Sequence, residues 1–135
     1  MVKRIALAAA LIVALVAPAG CAVAGASGRY AGTSTPQATL STYFGSAMGA
    51  DYATTYDCYY QRYRELVTRD EFVSHRRDAS RLTAYHVDSL QAAADSAVAT
   101  ATLTFAPTSR GAAPRTTTVR EDLVREAGGW RIRVW

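Results

Sequence analysis

The sequence has few of the residues that carry metal, nucleotide or redox chemistry. Among its 135 residues are two cysteines and two histidines, and their spacing is not that of a metal site. The sequence contains no glycine-rich phosphate loop and no internal repeat. From these absences we expect neither a bound metal nor a cofactor.

Lysine is also nearly missing, since Lys3 is the only one and every other basic residue is an arginine. The formal net charge is +4, but two of the 15 basic residues, Lys3 and Arg4, lie at the N-terminus, ahead of the apolar residues 5–17. Without these two, 13 basic residues face 11 acidic ones, which leaves a net charge near +2. So small a basic excess gives little reason to expect a nucleic-acid partner.

A long hydrophobic run is absent as well. Two basic residues precede thirteen apolar residues, 5–17, and the small residues Pro-Ala-Gly follow at 18–20. A helix needs about 20 apolar residues to cross the hydrocarbon core of a bilayer, so 5–17 is short for a permanent span. A basic start, a short apolar stretch and a small-residue zone are typical of a secretory signal peptide. We therefore expect residues 1–20 to be an export signal.

Two processing routes fit residues 15–25, LVAPAGCAVAG. The segment Pro18-Ala19-Gly20-Cys21 resembles the lipobox of bacterial lipoproteins, in which the cysteine sulfur receives diacylglycerol before cleavage makes that cysteine the first residue. Alternatively, Ala17-Pro18-Ala19 is an A-x-A site, and cleavage releases a soluble chain that begins at Gly20. An uncleaved helix in a cytoplasmic protein is a third alternative. We favour lipidation of Cys21, which would anchor the protein to the outer face of the cell membrane, with secretion as the alternative.

The rest of the chain divides into a linker and one domain. Residues 22–35, AVAGASGRYAGTST, are small and polar without an apolar period, which predicts a flexible tether over 21–35. Residues 36–135 then number about 100, the size of one compact domain with a single core.

Three helices are expected between residues 36 and 79. The first follows Thr35-Pro36, a capping residue with proline at the first helical position. The second is predicted over 51–66, DYATTYDCYYQRYREL, and the third begins at a capping box, residues 68–71.

From residue 82 onwards the apolar pattern changes to a period of two, which predicts strands. Turns are expected near Asp95 and at Gly128-Gly129. The predicted strands span 82–92, 97–105, 116–125 and 130–135. The fold class is therefore α+β, with three N-terminal helices packed on a curved four-stranded antiparallel sheet.

The helical half carries motifs that resemble those of small exported domains in the nuclear transport factor 2-like superfamily. A D-Y-x-x-x-Y helix is followed by a capped E-F helix, and the matching residues are Asp51, Tyr52, Tyr56, Thr68, Glu71 and Phe72. The terminal Gly-Gly-Trp-Arg-Ile, 128–132, is similar to that superfamily's closing strand. The resemblance covers 36–135. It implies a cone-shaped half-barrel with a pocket between sheet and helices.

Members of that superfamily divide between enzymes and binding modules. Enzymes similar in fold, such as ketosteroid isomerase and the polyketide cyclases, place an Asp or His in the pocket as general base, with a Tyr or a protonated Asp as donor to the oxyanion. No motif of theirs aligns residue by residue with this sequence. The resemblance therefore implies the fold, and it assigns no catalytic residue.

His86 and Asp88 are the candidates for catalysis, since residues two apart on a strand share a face and could act as base and orienter. Leu82, Ala84 and Leu90 are expected on that same face. The simpler interpretation is a pair of solvent-exposed polar residues. His75 lies in a run of charged residues that is most simply a solvated helix face.

Tyrosines are the most distinctive feature of the second predicted helix, where they recur at spacings of three and four: Tyr52, Tyr56, Tyr59, Tyr60 and Tyr63. Core packing is the simpler explanation, with hydroxyls reaching the rim of the sheet. The functional alternative is an aromatic pocket for an apolar ligand or a peptide, with Tyr56 and Tyr60 as its walls.

Cys58 depends on the fate of Cys21. If Cys21 is lipidated, Cys58 is left alone and a lone buried cysteine behaves as a small hydrophobe. If the chain is cut before Gly20, a Cys21–Cys58 bridge becomes possible in an oxidising compartment.

We interpret the chain as an exported, lipid-anchored, non-catalytic binding or interaction module of the bacterial cell envelope. Its expected partners are the membrane, through a lipid on Cys21, and either an envelope protein or a small apolar ligand. The alternative is a small pocket enzyme of the isomerase, dehydratase or cyclase type that uses His86 and Asp88.

Overall fold

Four helices precede a four-stranded antiparallel sheet in residues 30–134, the part of the chain that the computed structural model describes. The helices are α1 Pro36–Met48, α2 Tyr52–Asp57, α3 Gln61–Leu66 and α4 Arg69–Asp78. The strands are β1 Leu82–Ala92, β2 Ser96–Phe105, β3 Arg115–Glu126 and β4 Gly129–Arg133. Each strand pairs with the next one along the chain, in the order β1-β2-β3-β4. The predicted α+β class, with helices on a four-stranded antiparallel sheet, is confirmed.

The predicted export signal, 1–20, and the predicted lipidation site, Cys21, lie outside the described residues. Within residues 30–134, no helix combines the length and the apolar character that crossing a membrane requires.

Helix α1 begins at the residue that its sequence indicates. The Thr35 side chain accepts a hydrogen bond from the Ala38 N–H at 3.1 Å, and Pro36 occupies the first turn, where its missing N–H has no helical partner to lose. At the other end, the N–H of Gly49 donates to the Gly45 carbonyl at 3.0 Å. The Thr35 cap therefore fixes the residue at which α1 begins.

The second predicted helix, 51–66, is divided into α2 and α3, so the expectation of a single helix there is wrong. Helix α2 ends at Asp57, because the next residues pair with strand β4. The N–H of Ile132 donates to the Cys58 carbonyl at 2.8 Å, and the N–H of Tyr60 donates to the Ile132 carbonyl at 2.9 Å. These bonds satisfy backbone groups on the open side of β4 and replace the helical bonds of 58–60.

The predicted capping box is present at the start of α4. The N–H of Glu71 donates to the Thr68 hydroxyl oxygen at 3.3 Å, and the Glu71 carboxylate accepts from the Thr68 N–H at 2.9 Å. Such a box satisfies two backbone donors reciprocally. It therefore fixes the first turn of α4, including Phe72, the residue that follows Glu71.

The open side of β4 also holds the chain ahead of α1. The N–H of Trp130 donates to the Thr33 carbonyl at 2.8 Å, and the Thr42 hydroxyl donates to the Gly32 carbonyl at 2.7 Å. Gly129 has φ of +121°, and a Cβ added there would lie 2.6 Å from the Thr33 carbonyl oxygen, so this approach requires glycine. Residues 32 and 33, within the predicted tether 21–35, are thus attached to the domain.

The core lies between α1 and the inner face of the sheet. On β2, every second residue is buried, as the predicted alternation requires: Ala97, Ala99, Ala101 and Leu103. The small alanines leave room for larger side chains from the helices. Phe44 of α1, for example, stacks on Tyr85 of β1 with ring centroids 5.1 Å apart. Burial of a side chain such as Phe44 or Leu40 contributes about 1.5 to 3 kcal/mol each.

Candidate functional site

An open cleft of about 490 Å³ lies along helices α3 and α4. Small-molecule sites typically measure roughly 300 to 1,000 Å³. The cleft is lined by residues from the link between α2 and α3, from α3, from the turn after it and from α4: Tyr59, Tyr63, Leu66, Val67, Glu71, Phe72, His75 and Arg76. Its lining combines aromatic, aliphatic and charged side chains.

Three aromatic rings line the cleft. The ring centroids of Tyr59 and Tyr63 are 4.5 Å apart, and Phe72 meets Tyr59 edge-on at 5.4 Å. Tyr63 and Phe72 are also nearly perpendicular, at 6.4 Å. Two local features of the chain position these rings, because the α2–α3 break places Tyr59 and the capping box of α4 places Phe72. Tyr63 is half-buried while Tyr59 and Phe72 are buried, so the three rings form a packed aromatic wall of the cleft.

Leu66 extends the apolar surface beyond the rings. Leu66 is 76% exposed, and within residues 30–134 it is the large hydrophobic residue that is exposed. Val67, the next residue, is half-buried and also lines the cleft. Single exposed leucines are common, but this one lies directly at an apolar cleft and would add contact area to a ligand there.

The charged residues of the cleft belong to α4. The Glu71 carboxylate is occupied by its capping hydrogen bonds to Thr68, which hold the pKa of Glu71 below its usual value. The Arg76 guanidinium lies over the Phe72 ring, 5.7 Å from its centroid. His75 lies beside it and is exposed. Arg76 thus brings a positive charge next to an aromatic surface.

Behind the cleft, the Tyr59 hydroxyl is hydrogen-bonded to that of Tyr43 at 2.7 Å. Burial raises the pKa of Tyr59 to about 12 and holds the pKa of Tyr43 well above its ordinary value. Both phenols are therefore neutral at physiological pH, and Tyr59 connects the cleft to helix α1.

Glu121 adds a carboxyl group to the inner face of the sheet. It pairs across strands with Ala99, which is buried, and lies between Val119 and Leu123 on the same face of β3. Burial and the neighbouring charge of Asp122 raise the pKa of Glu121 to about 7, and Arg76 opposes this shift. Glu121 can therefore exchange a proton near neutral pH.

Sequence reasoning missed Glu121, although β3 carried a signal for it. With Val119 and Leu123 two residues to either side, a strand of period two places Glu121 at a core-facing position. An acidic residue at such a position is uncommon without a partner.

The predicted wall residues Tyr56 and Tyr60 do not line the cleft. The Tyr56 hydroxyl donates to the Arg64 and Val67 carbonyls, at 3.0 and 2.7 Å, so it closes the turn after α3. The Tyr60 hydroxyl donates to the Val134 carbonyl at 2.7 Å and so holds the end of the sheet. The aromatic residues at the cleft are instead Tyr59, Tyr63 and Phe72, because the α2–α3 break changes which way the tyrosines face.

His86 and Asp88 lie together on the outer face of the sheet. The His86 Nδ1 is 2.8 Å from the Asp88 carboxylate, which also accepts from the Thr102 hydroxyl at 2.7 Å. These hydrogen bonds, with that of His86 the larger cause, hold the pKa of Asp88 below its usual value. The side chains are 73% and 37% exposed, and neither lines the cleft. The structure brings the pair together but on a solvated surface.

Of the three residues expected beside this pair, Leu82 and Leu90 lie on the other face, so that part of the expectation is wrong. Ala84 pairs with Thr104, on the same face as the His86 partner Thr102, as expected. Strand β1 has register shifts between Leu82 and Ala84 and between Val87 and Ser89. Each irregularity adds a residue against β2, which reverses the alternation. Leu82 is buried as a result, and Leu90 pairs with the inward Ala99.

Cys58 is buried in the described part of the chain, with 1% of its surface exposed. Its thiol donates to the Thr54 carbonyl at 3.4 Å, and burial raises its pKa to about 12. Its predicted partner Cys21 lies outside the described residues. Within residues 30–134, no group of three or more His, Cys, Asp or Glu side chains could hold a metal ion.

No protein-family model matches the sequence, and no curated protein matches it significantly. Solved structures do match the fold. A SEC-C motif-containing protein from Rhodopseudomonas palustris has a TM-score of 0.64 at 14% identity, over 78% of this chain and 79% of that one. A protein from Thiobacillus denitrificans, described as a calcium/calmodulin-dependent protein kinase type II association domain, has a TM-score of 0.56 at 16% identity, over 74% and 90%.

Association domains of that kind have the nuclear transport factor 2-like fold. This chain shares the fold. At these levels of identity the likeness shows architecture and carries no activity, ligand or partner with it.

Proposed function

We propose that this protein is an exported, non-catalytic module that binds a small apolar ligand in the cleft between α3 and α4. The observation that carries the proposal is the cluster of Tyr59, Tyr63 and Phe72 around an open volume of about 490 Å³. Clefts lined by packed aromatic side chains are typical of small-ligand sites.

Anchoring through Cys21 is part of the same proposal, and secretion of a chain from Gly20 is the alternative. Its support is the sequence of residues 1–21, with its basic start, short apolar stretch and lipobox-like end. We also propose that the domain is an exported member of the nuclear transport factor 2-like superfamily whose sheet curves as a cone-shaped half-barrel. The register shifts of β1 favour such curvature, because bulges bend a strand.

The alternative of a pocket enzyme that uses His86 and Asp88 gains no support from the geometry. The pair is exposed on the outer face of the sheet, where water competes for every hydrogen bond and nothing encloses a substrate. A binding module remains the better proposal.

The test is a fluorescence titration with N-phenyl-1-naphthylamine, a neutral aromatic probe that is dark in water and bright in an apolar site. Tyr63→Ala removes one ring of the cleft, and Leu66→Ser changes an exposed side chain with little effect on folding. Loss of one contact ring costs about 1 kcal/mol of binding, so we expect at least fivefold weaker binding for Tyr63→Ala.

His86→Ala is the matched control, because it changes an exposed ring on the outer face. It should bind the probe as the unmodified protein does. Absence of saturable binding to the unmodified protein, or equal loss in His86→Ala, would overturn the proposal. Tight binding that survives both cleft variants would place the ligand elsewhere and also overturn it.

A further inference from the structure

Arg76 is the cation of the cleft, and it forms no ion pair with an acidic residue in the described part of the chain. Within residues 30–134 its guanidinium takes part in no hydrogen bond or ion pair, and its Nε is out of contact with solvent without a partner. The side chain is half-buried between the cleft and the interior. A partly buried charge without a partner is unfavourable and uncommon in folded proteins.

The nearby carboxylates form no ion pair with Arg76. Glu71 uses its carboxylate to cap α4 through the Thr68 N–H and hydroxyl. Glu121, on the inner face of the sheet, interacts with Arg76 electrostatically, but the two side chains form no ion pair. His75 also lines the cleft and carries no negative charge. The cleft therefore has an unpaired positive charge beside its aromatic rings.

We propose that the ligand of this cleft is an amphipathic anion, whose apolar body contacts Tyr59, Tyr63 and Phe72 while its carboxylate, phosphate or sulfonate pairs with Arg76. The inference rests on the proposed binding function and specifies the ligand class. A bound anion would form the ion pair that Arg76 does not make within the protein, because guanidinium pairs strongly with planar or tetrahedral oxyanions. The position of Arg76 over Phe72 places the cationic and apolar contacts side by side.

The test compares two probes that differ by one charged group. The dye 8-anilinonaphthalene-1-sulfonate is N-phenyl-1-naphthylamine with an added sulfonate, so the ratio of their dissociation constants isolates the anion. At low salt we expect the purified protein to bind the sulfonate at least tenfold more tightly than the neutral probe. Arg76→Gln should reduce that preference to less than threefold, mainly by weakening the binding of the sulfonate.

Arg62→Gln is the matched control, since Arg62 is exposed on α3 and outside the cleft lining. It removes the same charge and should keep the tenfold preference. Arg76→Lys, which retains the charge without the planar fork, should keep part of it. Circular dichroism of each variant checks that the fold is retained, and Arg76→Lys serves as the working variant if Arg76→Gln does not fold.

The outcomes separate the two proposals. If neither probe binds, both the proposed function and the ligand class are wrong. If both probes bind equally, the cleft is a binding site but its ligand is not selected for charge, and this inference alone fails. Equal loss in Arg62→Gln would also overturn it, because overall charge would then explain the preference. A signal that falls as protein concentration rises would mean that a second copy covers the cleft.

Displacement of the bound sulfonate dye then shows whether the bound anion must carry an apolar chain. Decanoate and decyl phosphate carry the same chain with different head groups, and inorganic phosphate carries no chain. We expect the two amphipathic anions to displace the dye and inorganic phosphate to fail. Displacement by inorganic phosphate at similar concentration would contradict the need for an apolar body.

Discussion

The hydroxyl groups of Tyr43 and Tyr59 form a 2.7 Å hydrogen bond in the interior, and their rings meet edge-on with centroids 5.4 Å apart. Each side chain is 7% exposed. The bond joins helix α1 to the segment between α2 and α3, so the aromatic lining of the cleft is held from behind. Because both phenols stay neutral, one donates and the other accepts at physiological pH.

Breaking this pair should show strong non-additivity. Tyr43→Phe leaves the buried Tyr59 hydroxyl without its partner, which should lower the free energy of unfolding by about 1 to 3 kcal/mol. The double variant Tyr43→Phe with Tyr59→Phe removes both polar groups and should be less destabilised than the sum of the single variants. Urea unfolding of all four proteins measures the coupling. Strictly additive effects would mean that the two hydroxyls do not interact.

Glu121 should make the protein less stable as the pH rises towards 8. Its pKa is about 7 in the folded state against 4.5 ordinarily, so the folded protein binds the extra proton between these values. The contribution of Glu121 to the free energy of unfolding is then complete below about pH 4.5 and is lost as the pH rises through 7. The total loss is about 2 kcal/mol, because the partial exposure of Glu121 reduces the effect. Glu121→Gln should remove most of this pH dependence in urea unfolding.

Glu65→Gln is the control, since Glu65 is exposed on α3. It should retain the pH dependence of the unmodified protein. If Glu121→Gln instead shows the same fall in stability between pH 5 and 8, another group is responsible.

Cys58 should be inert to thiol reagents in the folded protein. Its thiol is buried and donates a hydrogen bond to the Thr54 carbonyl. Its pKa of about 12 leaves almost no thiolate at neutral pH. In a Cys21→Ala variant, where Cys58 is the remaining thiol, labelling by an aromatic disulfide reagent should be at least a hundredfold slower than in denaturant. Labelling at the denatured rate would show that Cys58 is accessible, as a bridge to Cys21 would require.

The intact mass of the protein from its own host decides between anchoring and secretion. We expect the membrane fraction to contain a chain that starts at Cys21 and is heavier by a diacylglyceryl group. Cys21→Ala should abolish this species. A soluble chain from Gly20, lighter by two hydrogen atoms than its reduced form, would instead indicate secretion with a Cys21–Cys58 bridge.

The elements fixed by local signals could be predicted from the sequence. Thr35-Pro36 and the Thr68–Glu71 box specify helix starts through contacts of at most four residues, and both are present. The alternation in 97–103 depends only on the pleat of a strand, and it also holds.

The cleft could not be predicted in the same way, because it depends on contacts that are distant in the sequence. Ile132 ends α2 early by pairing with residues 58–60, and this decides that Tyr59 and Tyr63 line the cleft while Tyr56 and Tyr60 bond to backbone carbonyls. The bulges of β1 likewise reverse a face that a uniform period of two assigns wrongly. Backbone pairing between distant residues overrides the local pattern at these positions, and a local sequence pattern carries no information about it.

Binding of a small apolar ligand between α3 and α4 can be located residue by residue with a chemical-shift map. Backbone amide resonances of the labelled protein would be followed while N-phenyl-1-naphthylamine is added. We expect saturable shifts concentrated in residues 59–76, with little change at His86, Asp88 and Thr102 on the outer face. Shifts concentrated at those three residues, or an absence of saturable shifts anywhere, would contradict it.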